Sequence, residues 1–299
     1  MLVVVTPVKN EGKRLLHIAA QLTAQTRAPD FWIIVDDNST DVTPSIIKQL
    51  EKNYDFILST SLSKFLDYDE VFRYGSAIQT GFDYALESCA EPKFLGVLDV
   101  DIKLKKNYYE AVINAFNSVP RLGIASGLYI ESKNGVFLSA SGNDQKLSVC
   151  GAAMTFRKEC LIDIGGFPTC PRPDTVALLK AANRGWKIGV VSSTYAIHLR
   201  VERSLVKYIK LGLASYSLNY HPVNAIVSGS YLLLRNLSLS PLGFIMGYLI
   251  GAIQATKVAD EEVKQYFNKS FLRRIYKFSS LLSHRNANID PIENATVKL

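Results

Sequence analysis

The stretch Phe94-Leu-Gly-Val-Leu-Asp-Val-Asp101 is an apolar run that ends in two carboxylates. It is long enough for one buried strand, and a strand that ends in charges usually delivers them to a site, because unpaired charges are seldom buried. Residues i and i+2 share a face, so Asp99 and Asp101 are expected to converge on one cation if the chain stays extended. Such a pair suits Mg²⁺ or Mn²⁺ and leaves positions for phosphate oxygens. The alternative is that the strand simply ends in a solvated turn formed by the two aspartates.

Polar side chains also follow two earlier strand-like runs. Residues 2–6 and 31–35 are apolar runs, and each is followed by a polar segment, residues 7–12 and 36–41. Helical periodicity lies between the runs, so the pattern predicts an α/β fold with a mostly parallel sheet and helices on both faces. Ligands of such sheets bind beyond the carboxyl ends of the strands. We therefore expect these segments and the two aspartates to meet at one edge.

The composition is that of a folded, basic protein. Of the 299 residues, 48% are hydrophobic and 20% are charged, and the formal net charge is +7. The charge suits phosphate-rich ligands or an anionic membrane surface, although it also suits plain solubility. The four cysteines form no Cys-x-x-Cys pair and the N-terminus carries no secretory signal pattern. We therefore expect reduced thiols, no zinc site and a cytoplasmic protein.

Six short motifs occur in a fixed order between residues 6 and 188. They are Thr6-Pro-Val-Lys-Asn-Glu11, Val35-Asp-Asp-Asn-Ser-Thr-Asp41, Gly75-Ser-Ala-Ile-Gln-Thr-Gly81, Leu98-Asp-Val-Asp101, Ile164-Gly-Gly-Phe167, and Asp174 eleven residues before Gly185-Trp-Lys-Ile188. Each motif is weak by itself, but the ordered set resembles the family 2 glycosyltransferases of the GT-A fold. The resemblance implies a GT-A catalytic domain with a nucleotide-sugar donor lying across the strand ends.

The resemblance also implies which residues bind the donor nucleotide. The candidates are Thr6, Pro7, Glu11, Asp36, Asp37, Arg73 and Asp99. In this interpretation Asp36 accepts a hydrogen bond from the base, and Pro7 and Glu11 lie near the nucleoside. Four of them have a structural alternative: Asp36 and Asp37 as a turn leading into a helix, Glu11 as a helix-dipole residue, and Arg73 as a solvated surface charge.

A divalent cation, Mn²⁺ or Mg²⁺, is the cofactor that the resemblance implies. Asp101 would bind it, and Asp99 would bind it too or contact the ribose or the waters of the ion. His198 would be a third ligand or lie over the pyrophosphate; alternatively it is a hydrogen-bonded structural residue. The ion would stabilise the charge that develops on the leaving nucleoside diphosphate.

Asp174 is the candidate catalytic residue. The resemblance makes it the general base that removes a proton from the acceptor hydroxyl, and one displacement then inverts the anomeric configuration. The family usually has Glu-Asp at this position, whereas Pro173 precedes Asp174 here. This departure leaves open that Asp174 is only the N-cap of its helix.

The last third of the chain differs in composition. We assign residues 1–200 to the catalytic domain and 201–299 to a helical region that is membrane-associated or dimerising. Residues 200–210 form a basic amphipathic pattern, and residues 211–234 and 236–256 lack charges. A spanning helix needs about 20 mostly apolar residues, and these segments are interrupted, so helices lying in the membrane interface or a shallow re-entrant pair are expected instead. Glycines at a spacing of four would admit a close helix neighbour: Gly243, Gly247 and Gly251.

The resulting hypothesis is an inverting hexosyltransferase with a UDP- or GDP-sugar donor. The acceptor would be a sugar, a lipid-linked or other membrane-presented molecule, or a polypeptide; a membrane surface or a homodimer would engage the C-terminal helices, and no nucleic acid is expected. The Gln-x-x-Arg-Trp motif of processive synthases does not occur, which favours transfer of one sugar. One alternative is a sugar nucleotidyltransferase, although residues 7–12 lack its glycine-rich phosphate loop. The other is a non-catalytic sugar-nucleotide-binding or scaffold protein, which the Pro173-Asp174 pair keeps open.

Overall fold

The protein is described from a computed structural model. The described residues are 1–62, 70–133, 136–139, 149–199, 204–236, 240–254, 257–258, 260–269, 292 and 295–299. They divide into two compact units. Unit 1 consists of Met1–Thr169, Pro173–Val201 and Ala295–Leu299, and unit 2 of Cys170–Arg172 and Glu202–Asn294.

Unit 1 is built on one mixed sheet. Among the described residues its strands are β1 (Leu2–Val8), β2 (Phe31–Asp36), β3 (Ile57–Ser61), β4 (Phe94–Val97), β5 (Ile102–Leu104), β6 (Leu122–Lys133), β7 (Val136–Ser139), β8 (Thr155–Arg157), β9 (Lys187–His198) and β10 (Thr296–Lys298). The order across the sheet is β10-β9-β6-β8-β4-β1-β2-β3, with β5 paired to β9 and β7 paired to β6. The neighbouring pairs β2–β3, β1–β2 and β1–β4 run parallel. Strand β8 is antiparallel to both of its neighbours, β4 and β6.

Helices of unit 1 pack on the sheet. They are α1 (Gly12–Thr23), α2 (Thr43–Asn53), α3 (Glu70–Ser88), α4 (Tyr108–Ser118), α5 (Lys158–Asp163) and α6 (Pro173–Asn183). The side chains of β1 alternate between the two faces of the sheet. On one face, Val4 packs in the core that contains Leu15 of α1 and Tyr108 of α4. On the other face, Gly81 of α3 lies so close to Val5 and Val35 that a Cβ there would be 2.8 Å from Val35 Cγ2.

This architecture confirms the predicted α/β fold with a mostly parallel sheet, but several elements differ from the sequence-based expectation. Pro7 belongs to β1 rather than to the following loop. Residues 151–156 also read as a strand from the sequence, but they form a 3-10 turn, Gly151–Ala153, followed by the short strand β8. Residues 295–299, which we placed in the helical region, supply β10 to unit 1 instead. The Asn134-Gly135 pair, which favours a tight hairpin turn, lies outside the described residues, although β6 and β7 on either side of it pair antiparallel.

Unit 2 is mostly helical where it is described. Its helices are α7 (Leu205–Ser217), α8 (Pro222–Asn236), α9 (Leu242–Gln254) and α10 (Glu261–Asn268). The glycine stripe of α9 packs on α7: a Cβ at Gly243 would lie 2.7 Å from Leu205 O, and one at Gly247 would meet Ile209 O. The close helix neighbour that the glycines predict is therefore α7 of the same chain.

The lengths of these helices also bear on the membrane question. Among the described residues, no helix combines the length and the apolar character that crossing a bilayer requires. Residues 200–203 of the basic amphipathic pattern lie outside the described part of the chain, and so does most of the C-terminal tail after residue 269.

Candidate active site

The carboxyl ends of β1, β2 and β4 form one edge of the sheet in unit 1. Val8 pairs with Asp36 at this edge, and the Leu98 amide donates to Val5 O at 2.9 Å just beyond β4. Strand β4 ends at Val97, and the Ile102 amide closes a turn on Asp99 O at 3.2 Å. The chain is therefore not extended through the two aspartates, and the expectation that they share a strand face was wrong. The turn aims them at different partners.

Asp99 lies in a partly buried, electronegative position. The Tyr74 hydroxyl of α3 donates to Asp99 Oδ1 at 2.8 Å, and the Asp99 amide donates to Ala152 O at 2.9 Å. The pKa of Asp99 is raised to about 7, chiefly by burial and also by the charges of Asp101 and Asp174, while the Tyr74 hydrogen bond and the nearby His198 lower it. Three carboxyl groups therefore influence one another here, and a cation among them would lower their mutual repulsion.

Asp101 contacts His198 at the end of β9. His198 Nε2 lies 3.1 Å from Asp101 Oδ2, and the two side chains are 22% and 14% exposed. The contact follows from topology, because Ile102 of β5 pairs with His198 and the Leu199 amide donates to Asp101 O at 2.9 Å. Two residues that are 97 positions apart are thus fixed side by side.

The Asp101–His198 contact provides ligand types that fit a divalent cation. Carboxylate oxygen and imidazole nitrogen both bind Mn²⁺-type ions. Within the described residues, no group of three His, Cys, Asp or Glu side chains could hold a metal ion. Ions that act on nucleotides usually use one or two protein ligands and complete their coordination with phosphate oxygens and water. The residues therefore fit an ion that is completed by a nucleotide rather than one enclosed by protein.

Asp174 lies close to the same acidic cluster. Helix α6 begins at Pro173, so Asp174 belongs to its first turn and is not the N-cap residue. The 3-10 turn packs against its carboxylate, since a Cβ added at Gly151 would be 2.6 Å from Asp174 Oδ2. Burial, together with the nearby charges of Asp99 and Asp174, raises the pKa of Cys150 to about 12. The structure thus brings Asp174 near Asp99, with the turn between them.

Asp37 forms a separate ion-pair cluster after β2. Arg73 of α3 donates to it from two nitrogens, Nε at 3.0 Å and Nη2, and Lys9 Nζ lies 3.8 Å from Asp37 Oδ2. Arg73 is only 9% exposed, so it is not the solvated surface charge that we considered. Its bidentate geometry is the strong form of an Arg–carboxylate pair. Arg73 therefore contacts Asp37, the residue that follows β2, and holds the loop in place.

The remaining predicted donor residues have varied surroundings. Asp36 Oδ1 accepts from the Ser39 amide at 3.1 Å, which is the turn geometry of its structural alternative. Glu11 directly precedes α1 and pairs with Arg14 at 3.2 Å. The Thr6 hydroxyl is fully buried and accepts from the Trp32 indole at 2.8 Å. Thr6 as a whole residue is 0% exposed, so neither its side chain nor its main chain is accessible for the predicted donor contact in this structure.

Three residues of this site escaped the sequence analysis. Tyr74 binds Asp99, Gly151 abuts Asp174, and the Tyr129 hydroxyl lies 2.9 Å from His198 Nδ1. None of them has a distinguishing pattern, because the chain contains 15 tyrosines and 18 glycines. Their signal is three-dimensional: each touches a carboxylate or imidazole that a motif had already singled out.

Comparison with known families and structures gives a consistent result. Residues 3–163 match the family described as Glycosyl transferase family 2. A search of curated protein sequences found no match.

Solved glycosyltransferase structures share the fold. A mannosyltransferase, PcManGT from Pyrobaculum calidifontis, solved with GDP-Man and Mn²⁺, has a TM-score of 0.53 and 16% identity over 98% of this chain and 85% of that chain. TarS from S. aureus, solved with UDP, has a TM-score of 0.53 and 17% identity over 94% and 73% of the two chains. GalNAc-T7, solved with UDP, GalNAc and Mn²⁺, has a TM-score of 0.52 and 11% identity over 68% of this chain and 43% of that chain. At these identities the likeness shows the GT-A fold.

Proposed function

The chain belongs to glycosyl transferase family 2, whose match covers more than half of its 299 residues, and we propose that it transfers one sugar from a UDP- or GDP-sugar to an acceptor hydroxyl. The observation that carries this proposal is the Asp101–His198 contact beside Asp99 and Asp174 at the carboxyl edge of the sheet. A parallel sheet binds its ligands at that edge. The donors and the Mn²⁺ present in the similar structures support the choice of UDP or GDP and of the metal.

Asp101 and His198 would hold the divalent cation, Mn²⁺ or Mg²⁺. When bound, the ion would neutralise the donor pyrophosphate and stabilise the charge of the leaving nucleoside diphosphate. Asp99 accepts a hydrogen bond from Tyr74 at 2.8 Å and lies at the same edge of the sheet. We assign Asp99 to the ribose or to the waters of the ion. Its raised pKa fits a position that becomes favourable for a carboxylate once positive charge is present.

Asp174 would be the general base. Its carboxylate packs on Gly151 and lies near Asp99, so a proton taken from the acceptor hydroxyl would be removed beside the donor site. A single displacement by that hydroxyl at the anomeric carbon inverts the configuration. The position of Asp174 inside the first turn of α6 supports a role beyond capping.

The nucleoside would lie over the ends of β1 and β2. Asp36 would accept a hydrogen bond from the base, and Pro7 and Glu11 would border the nucleoside. Arg73 supports this loop through Asp37, with which it forms two hydrogen bonds. Arg73 would thus shape the donor site without touching the donor.

A donor screen tests the proposal. The purified protein should bind and slowly hydrolyse one class of nucleotide sugar when Mn²⁺ is present. Asp174→Asn should retain donor binding and lower transfer at least about 100-fold, in the range that general-base catalysis contributes. Asp55→Asn, which alters an exposed carboxylate of the same unit, is the matched control. Unimpaired turnover in Asp174→Asn would remove Asp174 as the base. A wild type that binds nucleotide sugar but shows no turnover at all would instead favour the scaffold alternative.

We further propose that unit 2 docks on a membrane surface and that the acceptor is lipid-linked or otherwise presented there; a sugar or polypeptide acceptor remains the alternative. Helices α8 and α9 expose apolar side chains on one face each. On α9 these include Leu249 and Ile253, which are 58% and 85% exposed, and on α8 Ile226 is 59% exposed. Exposed apolar helix faces are typical of interfacial helices.

The charges of the same segment support an anionic surface as the partner. Residues 204–259 contain four Lys or Arg residues and no Asp or Glu. Lys207 and Lys210 are exposed on α7. Basic residues beside an apolar face are drawn to anionic lipid. The four cysteines are buried free thiols, which supports a position on the cytosolic side.

A further inference from the structure

The loop that leads into α6 carries an arginine between two prolines, Pro171-Arg172-Pro173. Arg172 has a φ of 53°, in the left-handed region that residues other than glycine seldom adopt. A residue before proline is normally extended, so this conformation is unfavourable by itself and persists only where the surroundings hold it. Asp174, the proposed general base, is two residues further along the chain. The conformation of Arg172 therefore bears on where the base lies.

Side chains of unit 2 hold Arg172. The loop Cys170–Arg172 belongs to unit 2, whereas α6 belongs to unit 1. Arg172 Nη1 donates to the Tyr220 hydroxyl at 2.7 Å, and Arg172 Cζ lies 5.9 Å from the centre of the Phe267 ring. The rings of Tyr220 and Phe267 are stacked with their centres 5.2 Å apart. Because a guanidinium group is attracted to the face of an aromatic ring, a cation–π contact adds to the hydrogen bond.

Tyr220 and Phe267 are themselves fixed by the helices of unit 2. The Tyr220 amide donates to Ser215 O at 3.0 Å, past Asn219, whose φ of 65° is left-handed. This arrangement is the Schellman end of α7. The Tyr248 hydroxyl of α9 donates to Tyr220 O at 2.7 Å, and Phe267 of α10 is 2% exposed. Three helices therefore place the two rings that contact Arg172.

We propose that Arg172 is a positioning residue for sugar transfer, because its contacts with Tyr220 and Phe267 fix the start of α6 and with it the Asp174 carboxylate. This inference rests on the proposed function for the role of Asp174. Only Pro173 separates the two residues, and its ring restricts φ to about −65°, so a change at Arg172 passes directly to Asp174. A displacement of about 1 Å at a catalytic group lowers the rate steeply. Unit 2 thus contributes to catalysis without supplying a catalytic residue.

The kinetics of Arg172→Ala test the inference. Alanine is as restricted as arginine at positive φ, so this substitution removes the side-chain contacts and leaves the unfavourable backbone conformation unsupported. Transfer should show a kcat that falls about 10- to 100-fold, while the affinity for UDP or GDP in the presence of Mn²⁺ is unchanged. A kcat equal to that of the wild type would contradict the inference. An equal loss of nucleotide affinity would also contradict it, since that result indicates a general structural defect.

Tyr220→Phe covers the case in which Arg172→Ala fails to fold. It keeps the ring that stacks on Phe267 but removes the oxygen that accepts from Arg172, so kcat should fall by a smaller factor than in Arg172→Ala. Tyr216→Phe is the matched control, because it removes a hydroxyl from α7 and keeps the ring that packs on Tyr248. Equal kcat values in the two tyrosine variants would contradict the inference.

A double variant distinguishes positioning of the base from an independent role. In Asp174→Asn the base is absent, so a residue that acts only through it has little left to affect. Adding Arg172→Ala to Asp174→Asn should therefore lower the residual rate of transfer by less than about twofold. If the two losses multiply instead, Arg172 acts independently of Asp174 and the inference is wrong.

Hydrogen exchange of α6, followed by mass spectrometry of its peptides, provides a readout without activity. The amides of α6 should exchange faster in Arg172→Ala and Tyr220→Phe than in the wild type, whereas those of α4 in the same unit should not change. Unchanged exchange of α6 in both variants would contradict the inference. If the wild type transfers no sugar, or if Asp174→Asn is fully active, the proposed function fails, whereas the exchange still decides whether Arg172 holds α6. The two failures are therefore distinguishable.

Discussion

Asp99 and Asp101 are two residues apart, yet their carboxylates contact different partners. Asp99 accepts from Tyr74 at 2.8 Å, and Asp101 lies 3.1 Å from His198. The turn after β4 causes this difference, because it rotates the second carboxylate toward β9. The pair therefore combines one buried carboxyl group that resists ionisation with one that is matched to an imidazole. This division of roles is what a site for a cation and a nucleotide requires.

The raised pKa of Asp99 predicts a pH dependence of stability. Its pKa is about 7 in the folded protein and 3.8 without the fold, so the folded state binds the extra proton between these values. The free energy of unfolding of the metal-free protein should therefore fall as the pH rises from about 4 to about 7, by at most about 4 kcal/mol from this group. Asp99→Asn should lack this component and be more stable than the wild type at pH 7 but not at pH 4.

Urea titrations at several pH values measure this difference. Subtracting the unfolding free energy of one protein from that of the other cancels the contributions of groups that titrate in both. A difference between Asp99→Asn and the wild type that stays constant from pH 4 to pH 7 would contradict the raised pKa.

Gly151 tests the placement of Asp174. A Cβ at this position would be 2.6 Å from Asp174 Oδ2, so Gly151→Ala should displace the carboxylate. Because a displacement of about 1 Å can cost up to about 100-fold in rate, kcat should fall by about 10- to 100-fold while donor binding is kept. Gly96→Ala is the control, since its Cβ would be 3.4 Å from the nearest atom, Val4 Cγ2. Steady-state kinetics on both variants measure this difference. Equal kcat values in Gly151→Ala and Gly96→Ala would contradict the placement of Asp174.

The sequence predicted the candidate carboxylates but not their neighbours. Asp99, Asp101 and Asp174 stand in recognisable motifs, whereas Tyr74 and Tyr129 reach the site through packing that no local pattern encodes. The Asp101–His198 contact joins residues 97 positions apart, so it depends on the pairing of β5 with β9. The Arg73–Asp37 pair depends in the same way on where α3 packs.

The length of a strand decides whether the sequence could predict it. Strands β1 and β2 have 7 and 6 residues and are mostly apolar, and both were predicted. Strands β5, β8 and β10 have 3 residues each, which is too short for any periodicity, so they were missed or misplaced. Strand β10 is held by pairing with β9 and by the Leu299 carbonyl, which accepts from the Ser192 amide at 2.8 Å. Only tertiary contacts specify such elements.

The exposed faces of α8 and α9 predict membrane binding. Full-length protein should sediment with vesicles that contain anionic lipid. Leu249→Ser combined with Ile253→Ser should weaken this binding at least about tenfold, because burying one such side chain contributes about 1.5–3 kcal/mol. Both side chains are exposed, so the fold should be unaffected.

Two further variants identify the cause of vesicle binding. Ile162→Ser removes an apolar side chain that is 58% exposed in unit 1, and it should not change sedimentation. Lys207→Gln combined with Lys210→Gln should weaken binding to anionic vesicles about tenfold and leave neutral vesicles unaffected. If the α9 variant Leu249→Ser with Ile253→Ser loses self-association but still binds vesicles, the apolar face would instead be a homodimer surface.

At the scale of the whole molecule, the chain combines a GT-A unit with a basic helical unit. The family match at residues 3–163 lies within unit 1, which also contains every proposed catalytic and donor-binding residue. Unit 2 contributes the exposed apolar faces and a segment without carboxylates. We therefore propose that unit 1 performs sugar transfer while unit 2 keeps it at the surface where the acceptor is found.

The central claim is that Asp101 holds a divalent cation that binds the donor diphosphate. Isothermal titration of UDP and GDP, each with and without Mn²⁺, tests it most directly. For the wild type, Mn²⁺ should tighten binding of at least one nucleotide by about tenfold or more, equivalent to about 1.4 kcal/mol. Asp101→Ala should lose this gain and keep the metal-free affinity, whereas Asp55→Asn should keep both. Wild-type binding that is equal with and without metal would contradict the account.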